Sequence, residues 1–162
     1  MSRALPLAVL FTMALASLPA AVRADGPESS KVASTEQDVL KGLNRFRRNR
    51  GLAPLRMAPA VRAVAGHRSH SMERLGYFGH VAPGGQDAGD RLDSSGVRYR
   101  RWGEVIGKTR HQPLDPGGRW IIDWWKSSPA HRQIVLSPRF SDAGVGIAKD
   151  GGQTLWTVVF VD

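Results

Sequence analysis

Residues 143–161, Ala-Gly-Val-Gly-Ile-Ala-Lys-Asp-Gly-Gly-Gln-Thr-Leu-Trp-Thr-Val-Val-Phe-Val, read as a β-hairpin. Ala143–Ala148 and Thr154–Val161 are rich in β-formers, and Lys149-Asp150-Gly151-Gly152 supplies the turn between them. Everything N-terminal to this hairpin reads mainly as helix. Helices first and an antiparallel hairpin last predict an α+β domain in which helices cover a sheet.

Working back from the hairpin, Ser128-Pro129 restarts a short helix that carries His131. Asp115-Pro116 opens the helix before it, with Trp120, Ile121, Trp124 and Trp125 as its apolar stripe. Val97–Ile106 alternates imperfectly and predicts a strand. Asp90–Ser95 predicts a short helical turn closed by Gly96, and 81–89, with Pro83 and three glycines, predicts a loop. A helix starts at Pro59 and ends at Gly76, with Val61, Val64, Ala65, Arg68, Met72 and Leu75 on one face. The first helix spans about 35–50. Thr35 and Asp38 hold capping-box positions, Val39, Leu43 and Phe46 recur at helical spacing, and Gly51 is the stop.

The N-terminus reads differently. Ser2-Arg3 is followed by a nearly all-apolar run, Ala4–Val22, and then by Val22-Arg23-Ala24. This pattern predicts a secretory signal peptide, residues 1–24, cleaved after Ala24. The alternative is an uncleaved anchor, since the run approaches the ~20 residues a bilayer needs. Pro6, Pro19 and the small-residue end favour cleavage. Cleavage would take 24 of the 162 residues, leaving 138, and would lower the formal charge from +9 to +7 by removing Arg3 and Arg23. Residues 25–34 then form a flexible polar leader, and 35–162 a single domain large enough to bury a core. No transmembrane segment is expected after cleavage, and a monomer is expected.

The chain has no cysteine. An exported domain without disulfides relies on packing alone, which suits a bacterial periplasmic or extracellular protein. The excess of arginine fits anionic lipids or acidic envelope polymers as partners, and export argues against a nucleic-acid target.

Three segments hold chemistry-bearing side chains. Gly76-Tyr77-Phe78-Gly79-His80 places a histidine after two aromatics expected to enter the core. Gly103-Glu104-Val105-Ile106-Gly107 places a carboxylate in an apolar run, where burial is costly unless the charge is paired. Trp124-Trp125-Lys126-Ser127-Ser128-Pro129-Ala130-His131-Arg132 places a second histidine near a helix start. Each has a plain structural reading. Two imidazoles and a carboxylate that converge make a metal or acid–base site.

The order of these pieces carries a resemblance. Leu43-Asn44, Arg50-Gly51-Leu52 and Pro54-Leu55 come first, then Gly76–His80 and Asp90-Arg91-Leu92. Gly103-Glu104, Trp125 with Ser128–Arg132, Gly144-Val145-Gly146-Ile147, Trp156 and Phe160 follow. From about Val39 to Phe160 the chain resembles the CAP superfamily of cysteine-rich secretory, antigen 5 and pathogenesis-related 1 proteins, in its bacterial, cysteine-free branch. The resemblance implies a three-layer α-β-α sandwich with a central antiparallel sheet. It also implies a central cleft holding His80, Glu104 and His131. Ser128 stands where the family's eukaryotic form has a glutamate, with Asp123 as a compensating acid. Val105 stands where asparagine is usual.

Similar proteins that bind zinc through two histidines imply His80 and His131 as metal ligands, with Glu104 as a third and zinc as the one cofactor suggested. The function expected is a secreted ligand-binding module for a divalent metal, a lipid or an envelope component. The alternatives are a metal-dependent hydrolase at the same residues and a non-catalytic structural or defence module. No His-Glu-x-x-His, Gly-x-Ser-x-Gly or cysteine nucleophile supports catalysis. Three further features read more simply as structure. His67, His70 and Glu73 form a polar helix face. Arg45, Arg47, Arg48 and Arg50 favour the dipole of the first helix, with an envelope contact, extended by Arg98, Arg100 and Arg101, as the functional alternative. The tryptophans at 102, 120, 124, 125 and 156 read as core, with a lipid or sterol groove as the alternative.

Overall fold

The structure, a computed structural model, describes residues 27–162. The expected signal peptide and the first residues of the expected leader lie outside them. The elements are α1 (Pro27–Arg48), β1 (Arg56–Met57), α2 (Pro59–Arg74), α3 (Ala88–Ser94), β2 (Trp102–Arg110), α4 (Leu114–Ser127), α5 (Pro129–Val135), β3 (Asp142–Asp150) and β4 (Gln153–Val161). The sheet order is β1-β3-β4-β2. β3 and β4 form the expected hairpin, and β2 pairs antiparallel with β4. β1 pairs parallel with β3, so the sheet is antiparallel except at that edge.

Strand alternation divides the core in two. Val105 of β2, Val145 and Ile147 of β3, and Trp156, Val158 and Phe160 of β4 pack with Val39, Leu43, Ile121 and Trp125 of α1 and α4. On the other face Val159 and Val161 pack with Val61, Val64 and Ala65 of α2 and Leu92 of α3. The result is the expected α-β-α sandwich. Gly144 and Gly146 set its spacing on the α2 face. A Cβ at either position would run into α2 backbone, at Val61–Arg62 and Ala65–Gly66 respectively.

Several boundaries depart from expectation. Residues 27–34 are helical, not a leader, because α1 starts at Pro27. Ser34 Oγ and Thr35 Oγ1 do not cap a helix. Both donate back to Lys31 O, at 2.9 and 2.8 Å, within the preceding turn. Lys149 Nζ also donates to Glu28 Oε1 at 2.6 Å. α3 starts two residues early because Asp87 and Asp90 form a reciprocal capping box. β2 starts late because the Arg100 and Arg101 amides donate to the Asp162 carboxylate instead of entering a strand.

β2 is an edge strand, and its hydrogen-bond phase is readable. Asp162 N donates to Arg101 O and His111 N to Gly152 O. Odd-numbered residues of β2 therefore pair with β4, and even-numbered ones turn their backbone groups to the free edge. The Ile106 carbonyl on that edge is covered by Trp125 Nε1–H, at 3.0 Å. Capping of this kind blunts an exposed edge.

Candidate functional site

The site lies over the free edge of β2. Glu104 points to the α2 face of the sheet, opposite Val105, which is fully buried against α1 and α4. Val105 therefore does not line the site, and the asparagine expected there has no counterpart in it.

Arg68 organises the arrangement. It is fully buried on α2, and all of its nitrogens have partners. Nε donates to Glu104 Oε1 at 2.8 Å and Nη1 to Tyr77 Oη at 3.1 Å. Nη2 donates to the carbonyls of Gly79 and His80 at 2.9 and 2.7 Å. One guanidinium thus neutralises the carboxylate and pins the loop that carries the first histidine. Tyr77 Oη passes the network on to Ser71 Oγ at 3.2 Å. Phe78, expected in the core, is 44% exposed.

His80 Nδ1 lies 2.7 Å from the second Glu104 oxygen, Oε2. A carboxylate only accepts, so Nδ1 donates this bond and Nε2 is not engaged by it. His131 comes from the opposite layer, on α5. Its Nδ1 lies 2.8 Å from Ser128 Oγ. Ser128 is the N-cap of α5, yet its side chain makes no cap bond to the helix backbone; the hydroxyl holds the imidazole instead. Burial, and then repulsion from His80, holds the His131 imidazole below the usual histidine range. Its ring also sits 4.7 Å from that of Trp124, tilted by 47°.

The expected residues therefore fall into two pairs, His80–Glu104 and Ser128–His131, one from each side of β2. Asp123 joins neither. It is exposed and paired with Lys126 at 3.0 Å. Glu104 has one oxygen on Arg68 and the other on His80. Among the described residues no three His, Cys, Asp or Glu side chains are grouped to hold a metal ion. The donor set does not fit a zinc ion held by three protein ligands.

The site is partly exposed, with Ser128 and His131 half-buried. A groove of about 480 Å³ between α1 and α4 and one of about 640 Å³ between α1, α2 and β3 include none of its residues, and the His80 side chain is 55% exposed. Elsewhere, His67 and His70 are exposed, with His70 3.8 Å from Glu73. Arg47 is not a surface arginine. It is buried and donates to the carbonyls of Ala53, Val135, Ser137 and Phe140, tying α1 to the end of α5. Arg100 and Arg101 are turned to Asp162. Of the tryptophans, 125 and 156 are fully buried, but Trp120 and Trp124 are exposed.

Arg68 is the residue that sequence reasoning missed as part of the site. Its signal was present: an arginine within the apolar stripe of α2, and a carboxylate within the apolar run of β2. Two costly burials of opposite charge predict each other.

The comparisons bear on the family and the fold. The family model described as the cysteine-rich secretory protein family, CAP, matches residues 40–161. An uncharacterized protein of Bacillus subtilis, YkwD, is 30% identical over 132 residues, covering 82% of this chain and 49% of its own length. The chain thus spans about half of that curated relative. An extracellular protein of Bacillus anthracis containing an SCP domain matches with a TM-score of 0.72 and 27% identity, over 84% of this chain and 43% of that one. An outer surface protein of Borrelia burgdorferi matches in fold with a TM-score of 0.70 at 14% identity, over 80% of this chain and 92% of that one. Fold, motif order and family match lead to one conclusion: this chain belongs to the cysteine-rich secretory protein, or CAP, family.

Proposed function

We propose that this protein is an exported bacterial binding module that takes an envelope component at the His80, Glu104, Ser128 and His131 surface. The observation that carries this reading is the paired fixing of the two imidazoles. Glu104 holds His80 by Nδ1 and Ser128 holds His131 by Nδ1. Each ring keeps Nε2 for a ligand, and the two come from opposite layers of the sandwich. The site offers hydrogen-bonding groups, with the His80–Glu104 side held by a buried ion pair.

Further observations support the reading. Among the described residues no helix is long and apolar enough to cross a membrane. The Bacillus anthracis relative is described as extracellular, and the N-terminal 24 residues of this chain fit an export signal. The formal charge, +9 for the full sequence and +7 without Arg3 and Arg23, suits an acidic envelope polymer.

The test is co-sedimentation of the purified protein with isolated bacterial cell-wall sacculi. Wild type should pellet with the sacculi, and a His80→Ala/His131→Ala variant should lose about tenfold in affinity, as expected when central contacts are removed. Equal binding by both proteins would contradict the reading.

A further inference from the structure

Among the described residues five large hydrophobic side chains are exposed: Leu75, Phe78, Val81, Trp120 and Trp124. They fall in two segments, 75–81 and 120–124, which flank the site on its two sides. Phe78 precedes His80 by two residues, and Lys108 of β2 holds its ammonium 5.0 Å from the Phe78 ring centre. On the other side Trp120 and Trp124, one turn apart on α4, are 47% and 38% exposed. Their ring centres lie 6.4 Å apart with planes within 4° of parallel, and Trp124 continues into His131. Exposed apolar surface gathered beside polar groups marks a contact site.

We infer that the Trp120–Trp124 surface, running into His131 and His80, binds the pyranose rings of a polysaccharide chain. This inference rests on the binding reading above and names its ligand class. Three features favour it. Indole rings present a broad, electron-rich face, and the C–H face of a sugar ring is its complement. The fixed imidazoles and the Ser128 hydroxyl suit the hydroxyl and amide edges of the same ring. The site is also partly open to solvent, with the His80 side chain 55% exposed. A small ligand would be held in an enclosing pocket, whereas a long chain lies across an open surface. Lys108 adds a cation suited to acidic substituents along such a chain. A membrane surface is the less fitting partner, because the aromatics border a polar strip containing the His80–Glu104 pair and do not form one continuous apolar face.

The experiment is isothermal titration calorimetry of the purified protein with muramidase-released soluble glycan strands and with an N-acetylglucosamine hexamer. Vesicles of phosphatidylglycerol are titrated in parallel. The variants are Trp120→Ala/Trp124→Ala and His80→Ala/His131→Ala. Both tryptophans are exposed, so the melting temperature of their variant should stay near wild type. Wild type should bind the glycan, and the tryptophan variant should bind it roughly tenfold more weakly, as for truncated aromatic anchors.

Glycan binding lost in the tryptophan variant but kept in the histidine variant would uphold the platform and overturn the role of the histidines. Loss only in the histidine variant would overturn the platform and leave the site itself standing. Binding to vesicles without binding to either glycan would overturn the proposal in favour of a membrane surface. Binding to neither would overturn it outright.

Discussion

Arg68 and Glu104 form an ion pair at 2.8 Å with side chains 0% and 1% exposed. They lie 36 residues apart in sequence, on α2 and β2. The same guanidinium holds the Gly79 and His80 carbonyls, and the same carboxylate holds His80. The position of the first histidine is therefore set by a buried charge pair and not by the loop's own sequence.

Removing one partner should be far worse than removing both. Arg68→Met leaves the Glu104 carboxylate buried and uncompensated, at a cost of about 3–5 kcal/mol. The double variant Arg68→Met/Glu104→Leu should recover most of that loss. Urea unfolding of the three proteins checks this. Equal stability of the single variant and wild type would contradict the pair's role.

The imidazoles should titrate unequally. His131 is held low by burial and then by His80. By NMR its midpoint should lie below the usual histidine value of about 6.5 and move up toward it in His80→Ala, with the burial effect remaining. The consequence for stability has a definite sign. A histidine with a lowered folded value binds fewer protons folded than unfolded. Its contribution is complete above about pH 6.5 and is lost as pH falls from there through the lower folded value. His131→Gln should flatten this acid-side loss.

The α2–sheet spacing should tolerate no methyl group. A Cβ at Gly146 meets the backbone of Ala65 and Gly66, which has no rotamer to yield. Gly146→Ala should cost about 3 kcal/mol or more, at the upper end of overpacking changes. Gly84→Ala, in open space in the loop before α3, is the control and should be within about 0.5 kcal/mol of wild type. Thermal melts of the two variants decide it.

The arginines ending α1 should separate sharply. Arg47→Met strips partners from four carbonyls and should destabilise by several kcal/mol, at about 1–3 per buried group left unpaired. Arg45→Ala and Arg48→Ala, both exposed, should be within about 0.5 kcal/mol of wild type. A large loss from either exposed arginine would contradict the assignment.

These residues also show what the sequence could and could not convey. The β3–β4 hairpin was legible because its alternation and Asp-Gly-Gly turn are local. The α-β-α layering followed from motif order and not from periodicity. β1 was not legible because two residues carry no period. Trp120 and Trp124 were misread as core for a geometric reason. Adjacent helical residues point about 100° apart, so Trp120-Ile121 and Trp124-Trp125 cannot both face inward. Ile121 and Trp125 take the core, which leaves the other two outside. Arg47 and Arg68 were hidden because composition cannot tell a solvated guanidinium from one tied to distant carbonyls.

The proposed ligand-binding surface is the one built on His80, Glu104, Ser128 and His131. The most direct measurement is an amide chemical-shift map of the labelled protein titrated with soluble cell-wall glycan strands. Saturable shifts centred on residues 78–81, 104–108 and 124–131 are expected. Shifts confined to the α1–α4 groove, or none at saturating glycan, would contradict it.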